Sequence, residues 1–334
     1  MSKKLLSVVI PTYNMEAHLR RCLDSVTRDD IPSSLELIVV NDGSTDNSLA
    51  IMQEYAKKRP DIVNIIDKPN GHYGSCVNAA LNVATGKYFR ILDADDWFDT
   101  DALIELLRKI KLLDVDLIIT PYREYLANNN VKSISSQSAK NFKDGALLDN
   151  LINENVDILS MHSMTYKTSI LNQNGFFMQE GIFYTDTEYA TYPLFFVKES
   201  IYFCLNLYQY DLTRNGQSMD FKNLISHRND FYTILIRFFD NIEKITPIAN
   251  KRLLGILIKY YYLILCCVPK NHTDEEKLRS IDCLLKAKCA HNQKIVYKKL
   301  LYLPILWKKF GLHFYLYGYI KQTFHLKNII FRHE

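Results

Sequence analysis

The first 120 residues alternate short apolar runs with segments of helical spacing, and this alternation constrains the fold more than any other feature. Residues 5–10, 35–40 and 88–92 are runs typical of strands buried on both faces. A segment of helical spacing, residues 16–27, separates the first two runs. Because parallel strands need crossover connections of this kind, the pattern predicts an α/β fold, with a Rossmann-like, mostly parallel sheet flanked by helices.

Turn and capping residues bound the other predicted elements. Thr45 or Asp46 is predicted to cap a helix that ends near Lys58, and Thr100 to cap a helix that ends near Leu113. The remaining predictions are strands at 62–66, 115–119, 176–184 and 201–210, and a helix at 75–84. Regularity weakens after about residue 120, and from about residue 221 the pattern becomes helical.

The net charge of +4 conceals an uneven distribution. Residues 284–334 contain ten Lys or Arg and one acid, so this segment carries +9 and the remainder −5. Aromatic residues such as Trp307 and Phe310 lie among the charges, which favours a peripheral surface on an anionic membrane. Nucleic-acid binding is the rival interpretation, but the tail has no RNA-recognition signature and is unusually apolar for that purpose. A helical cap with a solvated basic face is the alternative.

Cysteine usage and the N-terminus favour a cytoplasmic protein. The seven cysteines are odd in number and have no C-x-x-C spacing, which favours a reducing compartment. The apolar run at residues 5–10 is too short for a signal peptide. Residues 253–268 are also too short, and interrupted by Lys259, for a confident membrane span.

Three carboxylates follow the strand predicted at residues 88–92, in the run Asp93-Ala94-Asp95-Asp96. Ligands of doubly wound sheets bind at the carboxyl ends of strands. Carboxylates this close repel one another and are best tolerated around a divalent cation such as Mg²⁺ or Mn²⁺. An acidic helix N-terminus is the alternative, but it does not explain Asp93, which precedes the turn.

Two other predicted strands end in polar residues. Tyr13 follows the first strand, where it is placed to stack on a base, and Asp42 follows the second, where it is placed to accept a hydrogen bond from a base or ribose. Ordinary turn chemistry is the alternative at each position. The first strand leads into neither G-x-G-x-x-G nor G-x-x-x-x-G-K-[ST], which removes the main support for dinucleotide and P-loop chemistry.

Taken in order, these segments resemble glycosyltransferase family 2. Residues 8–14 (VVIPTYN), 39–46 (VVNDGSTD) and 86–96 (GKYFRILDADD) agree with the family in order and spacing. The resemblance covers about the first 120 residues and implies a GT-A fold, a nucleotide-diphospho-sugar donor, Mn²⁺ or Mg²⁺, and inversion at the anomeric carbon. Residues 1–120 would form the nucleotide-sugar-binding half, 121–220 the acceptor-binding half, and 221–334 a helical appendage.

The resemblance also implies roles for single residues. Pro11, Tyr13 and Asp42 would hold the base and ribose, and Asp93 and Asp95 match the D-x-D of the family, with Asp95 the more direct metal ligand. The other matches to donor-side positions are Asn14, Glu16, Asn70, Gly71, Ser75, Asn78 and Ala94.

The catalytic base is expected further along the chain. Asp186 lies in a segment similar to the family's E-D segment, although Thr185 stands where the family often has Glu. An inverting transfer needs such a carboxylate to accept the proton of the attacking hydroxyl. Glu188 is the second candidate, and capping of a helix near Thr187 is the alternative role for Asp186.

Two flanking residues are further candidates. His162 resembles a residue of an acceptor-side strand in related transferases, and a structural histidine is the alternative. Arg214 lies in a glycine-containing loop that could close over the diphosphate, and an ordinary surface loop is the alternative.

The resemblance therefore implies an inverting glycosyltransferase of bacterial cell-surface polysaccharide synthesis, peripheral on the inner face of the membrane. The donor would be a UDP-hexose or UDP-N-acetylhexosamine, and the acceptor a hydroxyl of a glycan or lipid-linked saccharide. A non-catalytic nucleotide-sugar-binding scaffold is the alternative, against which the intact D-x-D and Asp186 argue. A nucleotidyltransferase is a third possibility. It would normally need a basic, glycine-rich triphosphate loop after the first strand, and this chain has residues 11–14 (PTYN) there instead.

Overall fold

A computed structural model describes most of the first two thirds of the chain and parts of the last third. The described residues are 4–126, 130–133, 142–147, 160–213, 221–240, 254–257, 259–260, 272–288, 294–295 and 298. The chain divides into two compact units, Met1–Asn215 and Gly216–Glu334. Arg214 and residues 299–334, which include most of the basic tail, lie outside the described residues. Within those residues, no helix combines the length and apolarity that a membrane crossing requires.

The first unit contains twelve described strands, and one helix separates each pair of consecutive strands from β1 to β4. They are β1 (Leu6–Thr12), β2 (Leu35–Asp42), β3 (Val63–Lys68), β4 (Tyr88–Ile91), β5 (Trp97–Phe98), β6 (Leu117–Ile119), β7 (Tyr122–Leu126), β8 (Asn130–Ser133), β9 (Ala146–Leu147), β10 (Met164–Lys167), β11 (Ser200–Tyr202) and β12 (Tyr208–Asp211). The helices are α1 (Leu19–Thr27), α2 (Ser48–Lys58), α3 (His72–Val83), α4 (Thr100–Ile110), α5 (Thr168–Gln173) and α6 (Asp186–Tyr189).

The described strands form two sheets. Eight of them make the larger sheet, in the order β3-β2-β1-β4-β10-β6-β11-β9. Its first four strands are parallel, β10 runs antiparallel between β4 and β6, and β11 pairs parallel with β6. The smaller sheet has the order β5-β12-β7-β8. The predicted α/β architecture with a mostly parallel sheet is confirmed.

Burial explains why the first strands lie at the centre of the sheet. Every residue of β1 and β2 is buried, as expected for strands covered on both faces. On α1, the apolar side chains of Leu19, Cys22 and Val26 recur at helical spacing and are buried. The parallel register of β1 with β2 and β4 brings the carboxyl ends of these strands to one edge.

Several predicted helix boundaries are corrected. Asp99, not Thr100, is the N-cap of α4, and its side chain accepts a hydrogen bond from the Ala102 amide at 3.0 Å. The N-cap of α2 is Asn47, although Asp46 accepts a hydrogen bond from the Ser48 amide at 2.9 Å. Both differences are one or two residues, because adjacent polar residues compete for the same free amides.

The predicted strand at residues 176–184 is wrong. This segment is irregular and contains Gly181 and Tyr184, both with positive φ, a backbone conformation that does not fit a strand. The predicted strand at 201–210 divides into two, because β11 pairs in the larger sheet and β12 in the smaller.

The described part of the second unit is helical. Its helices are α7 (Phe221–Ser226), α8 (Arg228–Asp240) and α9 (His272–Lys288). Aromatic and aliphatic side chains such as Phe231, Phe238 and Leu278 are fully buried in it. Among the described cysteines, Cys22 and Cys76 are buried, whereas Cys204 in the first unit and Cys283 in the second are exposed.

Candidate functional site

The loops that follow β1 and β2 are joined by hydrogen bonds from residues predicted at the site. Asn14 accepts a hydrogen bond through Oδ1 from the Thr45 amide at 2.8 Å. Glu16 accepts one through Oε2 from the Asn47 amide at 2.9 Å. Pro11 is buried, and the ring of Tyr13 is 47% exposed beside these loops. The two loops therefore form one rim, with an aromatic face open to a ligand.

Asp42, at the end of β2, is held in place by two neighbours. Its carboxylate pairs with Lys68 and accepts a hydrogen bond from the Gly71 amide at 2.9 Å. Lys68 also donates to Oγ of Ser75 at 2.8 Å. Gly43 has a φ of +72°, and a Cβ there would lie 3.0 Å from the Asn70 amide nitrogen. The strand ends thus orient Asp42 before any ligand binds.

The acidic turn after β4, defined here as residues 93–96, is fixed by two tyrosines and a backbone amide. Tyr73 donates to Oδ1 of Asp93 at 2.6 Å, and Tyr208 donates to Oδ2 of Asp96 at 2.6 Å. The Asp211 amide donates to Oδ1 of Asp96 at 2.7 Å. Asp96 is therefore a buried member of the turn, with both carboxylate oxygens bound by residues of β12. Ala94 is buried between the acids.

Burial makes it unfavourable for the carboxylates of the acidic turn to carry their negative charges. Desolvation, followed by the charge of Asp95, raises the pKa of Asp93 well above its ordinary value. The same two causes, in the same order, raise the pKa of Asp96. Buried carboxylates in this state are stabilised by a cation, since it removes their mutual repulsion.

One group of side chains in the described residues has the spacing of a metal site. Asp93, Asp96 and His162 each offer one ligand atom, and these atoms lie within 4.8 Å of one another. Burial, and then the charge of Arg90, lowers the pKa of His162 to about 3, so the imidazole is neutral and one ring nitrogen carries a lone pair. Its Nδ1 lies 3.4 Å from Oγ of Ser160. Asp95, predicted as the more direct ligand, is not part of this group.

His162 is positioned by aromatic stacking and by a buried arginine. Its ring stacks on Tyr210 with the centroids 4.2 Å apart. Arg90 is fully buried and donates to the carbonyl oxygen of His162, and also to Oγ1 of Thr120 at 3.0 Å and of Thr165 at 2.8 Å. His162 therefore lies beside the acidic turn because β4 and β10 are neighbours in the sheet.

Arg21 joins α1 to the acidic turn and to the smaller sheet. Its Nη2 donates to the carbonyl oxygen of Asp95 at 2.6 Å and to Oδ2 of Asp211 at 2.7 Å. Its guanidinium carbon lies 4.0 Å from the centroid of the Trp97 ring. These contacts hold both sides of the turn.

Asp186 is the first residue of α6, and Thr185 occupies the N-cap position. The alternative prediction, that Asp186 caps this helix, is therefore wrong. Burial and the charge of Asp93 raise the pKa of Tyr73, and the charge of Asp186 adds to that rise. Asp186 also adds to the raised pKa of Asp93, after burial and Asp95. The carboxylate of Asp186 thus lies within electrostatic range of the acidic turn.

Two predicted site residues have their polar atoms engaged within the protein. Glu188 is fully buried, and its two oxygens accept hydrogen bonds from Gln179 at 2.7 and 2.8 Å. Asn78 is 8% exposed and bonds to Met178 and Glu180. These contacts favour structural roles for Glu188, the second candidate for the base, and for Asn78, predicted as a donor contact.

Sequence reasoning missed Tyr73, Tyr208, Arg21 and Arg90. Tyr208 lies on β12, more than 100 residues after the acid that it binds. A charged residue inside an apolar strand was the available signal for Arg90, because a buried guanidinium needs several acceptors. No local pattern distinguishes the other three from ordinary core or surface residues.

A family model described as "Glycosyl transferase family 2" matches residues 7–175, about half of the chain. That range contains β1 to β4, the acidic turn and His162. It ends before Asp186.

Named relatives match parts of the chain. The chondroitin synthase of Pasteurella multocida is 38% identical over 138 residues, which are 41% of this chain and 14% of that protein. The poly(ribitol-phosphate) beta-N-acetylglucosaminyltransferase TarS of Staphylococcus aureus is 25% identical over 231 residues, or 69% of this chain and 39% of that protein. The chain therefore matches about one seventh of the first relative's length and about two fifths of the second's.

Solved structures share the fold. The structure of S. aureus TarS 1–349 in complex with UDP-GlcNAc has a TM-score of 0.67 at 18% identity, covering 99% of this chain and 94% of that chain. The mannosyltransferase PcManGT from Pyrobaculum calidifontis in complex with GDP-Man and Mn²⁺ has a TM-score of 0.54 at 16% identity, covering 97% and 88%. Both likenesses establish a common architecture.

Proposed function

Because the chain belongs to glycosyl transferase family 2, we propose that it transfers a sugar from a nucleotide-diphospho-sugar to a hydroxyl group of a glycan or lipid-linked acceptor. One observation carries this proposal: Asp93, Asp96 and His162 lie together where the strands of the sheet end, with ligand atoms within 4.8 Å of one another. The charge of Asp186, which acts on Asp93, supports a place for Asp186 near the same edge. Ligands of open α/β sheets bind at that edge. A chain used only as a scaffold would not need a carboxylate such as Asp186 beside it.

The donor is a UDP-hexose or UDP-N-acetylhexosamine. The likeness to TarS in complex with UDP-GlcNAc supports a UDP-sugar. GDP-sugars are the alternative donors to test, because the fold is also similar to a mannosyltransferase in complex with GDP-Man. Tyr13 stacks on the base, and Asp42, already oriented by Lys68 and Gly71, accepts a hydrogen bond from the base or ribose.

Asp186 is the catalytic base in this proposal. A carboxylate within range of the acidic turn accepts the proton of the acceptor hydroxyl as its oxygen attacks the anomeric carbon. The nucleoside diphosphate leaves on the opposite face, so the configuration at the anomeric carbon inverts. Arg214, which lies outside the described residues, is a further candidate for contact with the diphosphate.

The donor atoms of the acidic turn fit a divalent cation. Asp93 and Asp96 supply carboxylate oxygens and His162 a neutral nitrogen, a mixed set that suits Mn²⁺ better than Mg²⁺, which prefers oxygen. A bound cation would offset the negative charge of the leaving diphosphate. Asp95 is the alternative ligand, and comparing Asp95→Asn with Asp96→Asn by Mn²⁺ titration separates the two assignments.

A thermal-shift screen of UDP- and GDP-sugars, with and without Mn²⁺, tests donor binding. A ligand at 100 times its Kd adds about 2.7 kcal/mol to the stability of the native state, which is a readily measured rise in Tm. We expect the largest rise for a UDP-sugar with Mn²⁺. Equal Tm values with and without every nucleotide-sugar would contradict the proposal.

Asp186→Asn tests the catalytic role and separates the enzyme from a binding scaffold. We expect this variant to lose almost all transfer and slow donor hydrolysis while its Kd for UDP stays unchanged. Asp29→Asn, an exposed acid in the loop after α1, is the matched control and should retain activity. A wild-type chain that binds donor but never releases free sugar would favour the scaffold.

Peripheral attachment to an anionic membrane belongs to the same proposal. The charge of +9 in residues 284–334 and the aromatic residues among them support it. Flotation with vesicles containing anionic lipid is the test, and full-length protein that stays unbound at low salt would contradict this part alone.

A further inference from the structure

We propose that Asn78 is a positioning residue that couples helix α3, beside the donor loops, to the segment that carries Asp186. This inference rests on the proposed function, because it concerns how the base of that reaction is held. The segment between Met178 and Glu188, called here the docked segment, lies along the first two turns of α3. Three sets of contacts hold it there, and a fourth joins its two ends.

The amide of Asn78 is the central contact. Its Nδ2 donates to the carbonyl oxygen of Met178 and to Oε1 of Glu180, each at 2.9 Å, and its Oδ1 accepts from the Met178 amide at 2.9 Å. Asn78 is 8% exposed and Met178 is fully buried. Both amide hydrogens and the carbonyl oxygen are thus used within the protein, in the manner of a side chain that pairs with a backbone edge.

The N-terminal turn of α3 is shaped to receive the docked segment. A Cβ at Gly74 would lie 2.1 Å from the carbonyl oxygen of Gln179, so only glycine permits the observed approach. The Gly181 amide donates to the carbonyl oxygen of Gly71 at 3.1 Å. The backbone of the segment therefore contacts the same loop that holds Asp42 through the Gly71 amide.

A further contact lies at the positive-φ residues. The ring of His72 packs edge-on against Phe183 with the centroids 5.2 Å apart. His72 and Tyr184 have φ values of 66° and 64°, conformations that non-glycine residues adopt only where the surroundings stabilise them. Tyr184 is two residues before Asp186.

Glu188, the last residue of the docked segment, lies in α6 and bonds back to Gln179 near the start of the segment. Its buried carboxylate accepts both the backbone amide and the side-chain amide of Gln179. Since Gln179 lies between the two residues bound by Asn78, a continuous set of hydrogen bonds runs from α3 to the helix that begins with Asp186. In this proposal Asn78 determines where Asp186 stands through these protein contacts.

Asn78→Asp is the direct test because it preserves shape and removes both amide donors. The new carboxylate would face the Met178 carbonyl and Glu180, and the docked segment would separate from α3. We expect hydrogen exchange in residues 176–185 to increase and kcat for hydrolysis of UDP-N-acetylglucosamine with Mn²⁺ to fall about 10- to 100-fold. The Kd for UDP should change by less than about twofold, because the proposed role of Asn78 acts through the docked segment and not through a contact with the nucleotide.

Asn82→Asp is the matched control. It makes the same chemical change one turn further along α3, at an exposed position, and should leave exchange and kcat at wild-type values. The double variant Asn78→Asp with Glu180→Gln supplies an amide donor opposite the new carboxylate and should recover part of kcat. Such a recovery would not follow from general destabilisation of the fold.

Two results would overturn the inference. One is an Asn78→Asp protein whose exchange and kcat match those of Asn82→Asp. The other is a Kd for UDP that weakens in step with the loss of kcat, which would make Asn78 a donor contact. Failure of the proposed function is distinguishable, because wild-type protein would then hydrolyse no nucleotide-sugar while the exchange comparison still reports the docking.

Discussion

Tyr208 donates its hydroxyl hydrogen to Oδ2 of Asp96 at 2.6 Å and accepts a hydrogen bond from the Asp93 amide at 3.2 Å. The tyrosine is fully buried on β12, so a strand of the smaller sheet holds both ends of a turn that follows β4 of the larger sheet. The spacing of the two acids therefore depends on how the two sheets meet.

Replacing Tyr208 by Phe removes that hydroxyl and leaves Asp96 with one fewer donor. We expect the free energy of unfolding to fall by about 1–3 kcal/mol, the cost of an unsatisfied buried polar group, and the concentration of Mn²⁺ at half-maximal hydrolysis to change. Tyr166→Phe is the control, because that hydroxyl contacts the weak acceptor Sδ of Met164 at 3.6 Å. Equal losses in the two variants, by urea denaturation, would contradict the prediction.

Arg21→Gln should affect activity more than stability. Arg21 is 42% exposed, and such ion pairs contribute little to folding, about 1 kcal/mol or less. The lost contact with the Asp95 carbonyl would let the acidic turn shift, and a shift of about 1 Å can cost up to about 100-fold in rate. Arg20→Gln is the control. Arg20 is the preceding residue of α1 and forms an exposed pair with Glu54 of α2, so its loss should leave kcat unchanged. Steady-state donor hydrolysis distinguishes the two.

His162→Phe tests the imidazole as a metal ligand. The phenyl ring keeps the stacking on Tyr210 but has no nitrogen lone pair. We expect the Mn²⁺ concentration at half-maximal hydrolysis to rise roughly tenfold or more, since even residues behind the ligands affect metal affinity by about that factor. His227→Phe, in the second unit, is the control. An unchanged Mn²⁺ requirement would remove His162 from the site.

Gly86→Ala should destabilise the sheet itself. An added Cβ would lie 2.5 Å from the backbone nitrogen and from Oγ of Ser7, both on buried β1. We expect a loss of about 1–3 kcal/mol, typical of overpacking. Gly255→Ala meets nothing within 4 Å and should be neutral or slightly stabilising. Thermal denaturation of both variants is the measurement, and a Gly86→Ala protein as stable as wild type would contradict the predicted clash.

The larger sheet was predictable because its first strands are buried on both faces and so carry runs that are strongly apolar. The acidic turn and Asp42 were predictable because polar residues at strand ends stand out against those runs. The proximity of His162 to Asp96 was not predictable from the sequence, because it depends on β10 entering the sheet beside β4. The role of Asn78 was hidden for the same reason, since its partners lie 100 residues later.

The irregular segment at residues 176–184 shows a second limit. Its aromatic residues favour a strand by propensity, yet Gly181 and Tyr184 adopt positive φ and the segment docks on α3 through single contacts. Tertiary contacts outweigh the local preference here. The two glycines, Gly175 and Gly181, are the signal in the sequence that would have favoured a loop.

The position of β10 has a consequence for how the chain is made. β10 lies between β4 and β6, which both precede it in the sequence, so during synthesis the edges of β4 and β6 that face β10 stay unpaired until β10 has left the ribosome. The other edge of β6 waits longer, for β11. Exposed edges of this kind recruit other strands. We therefore expect nascent chains that have exposed β6 but not yet β10 to be prone to aggregation, and these are the chains that a chaperone would need to protect.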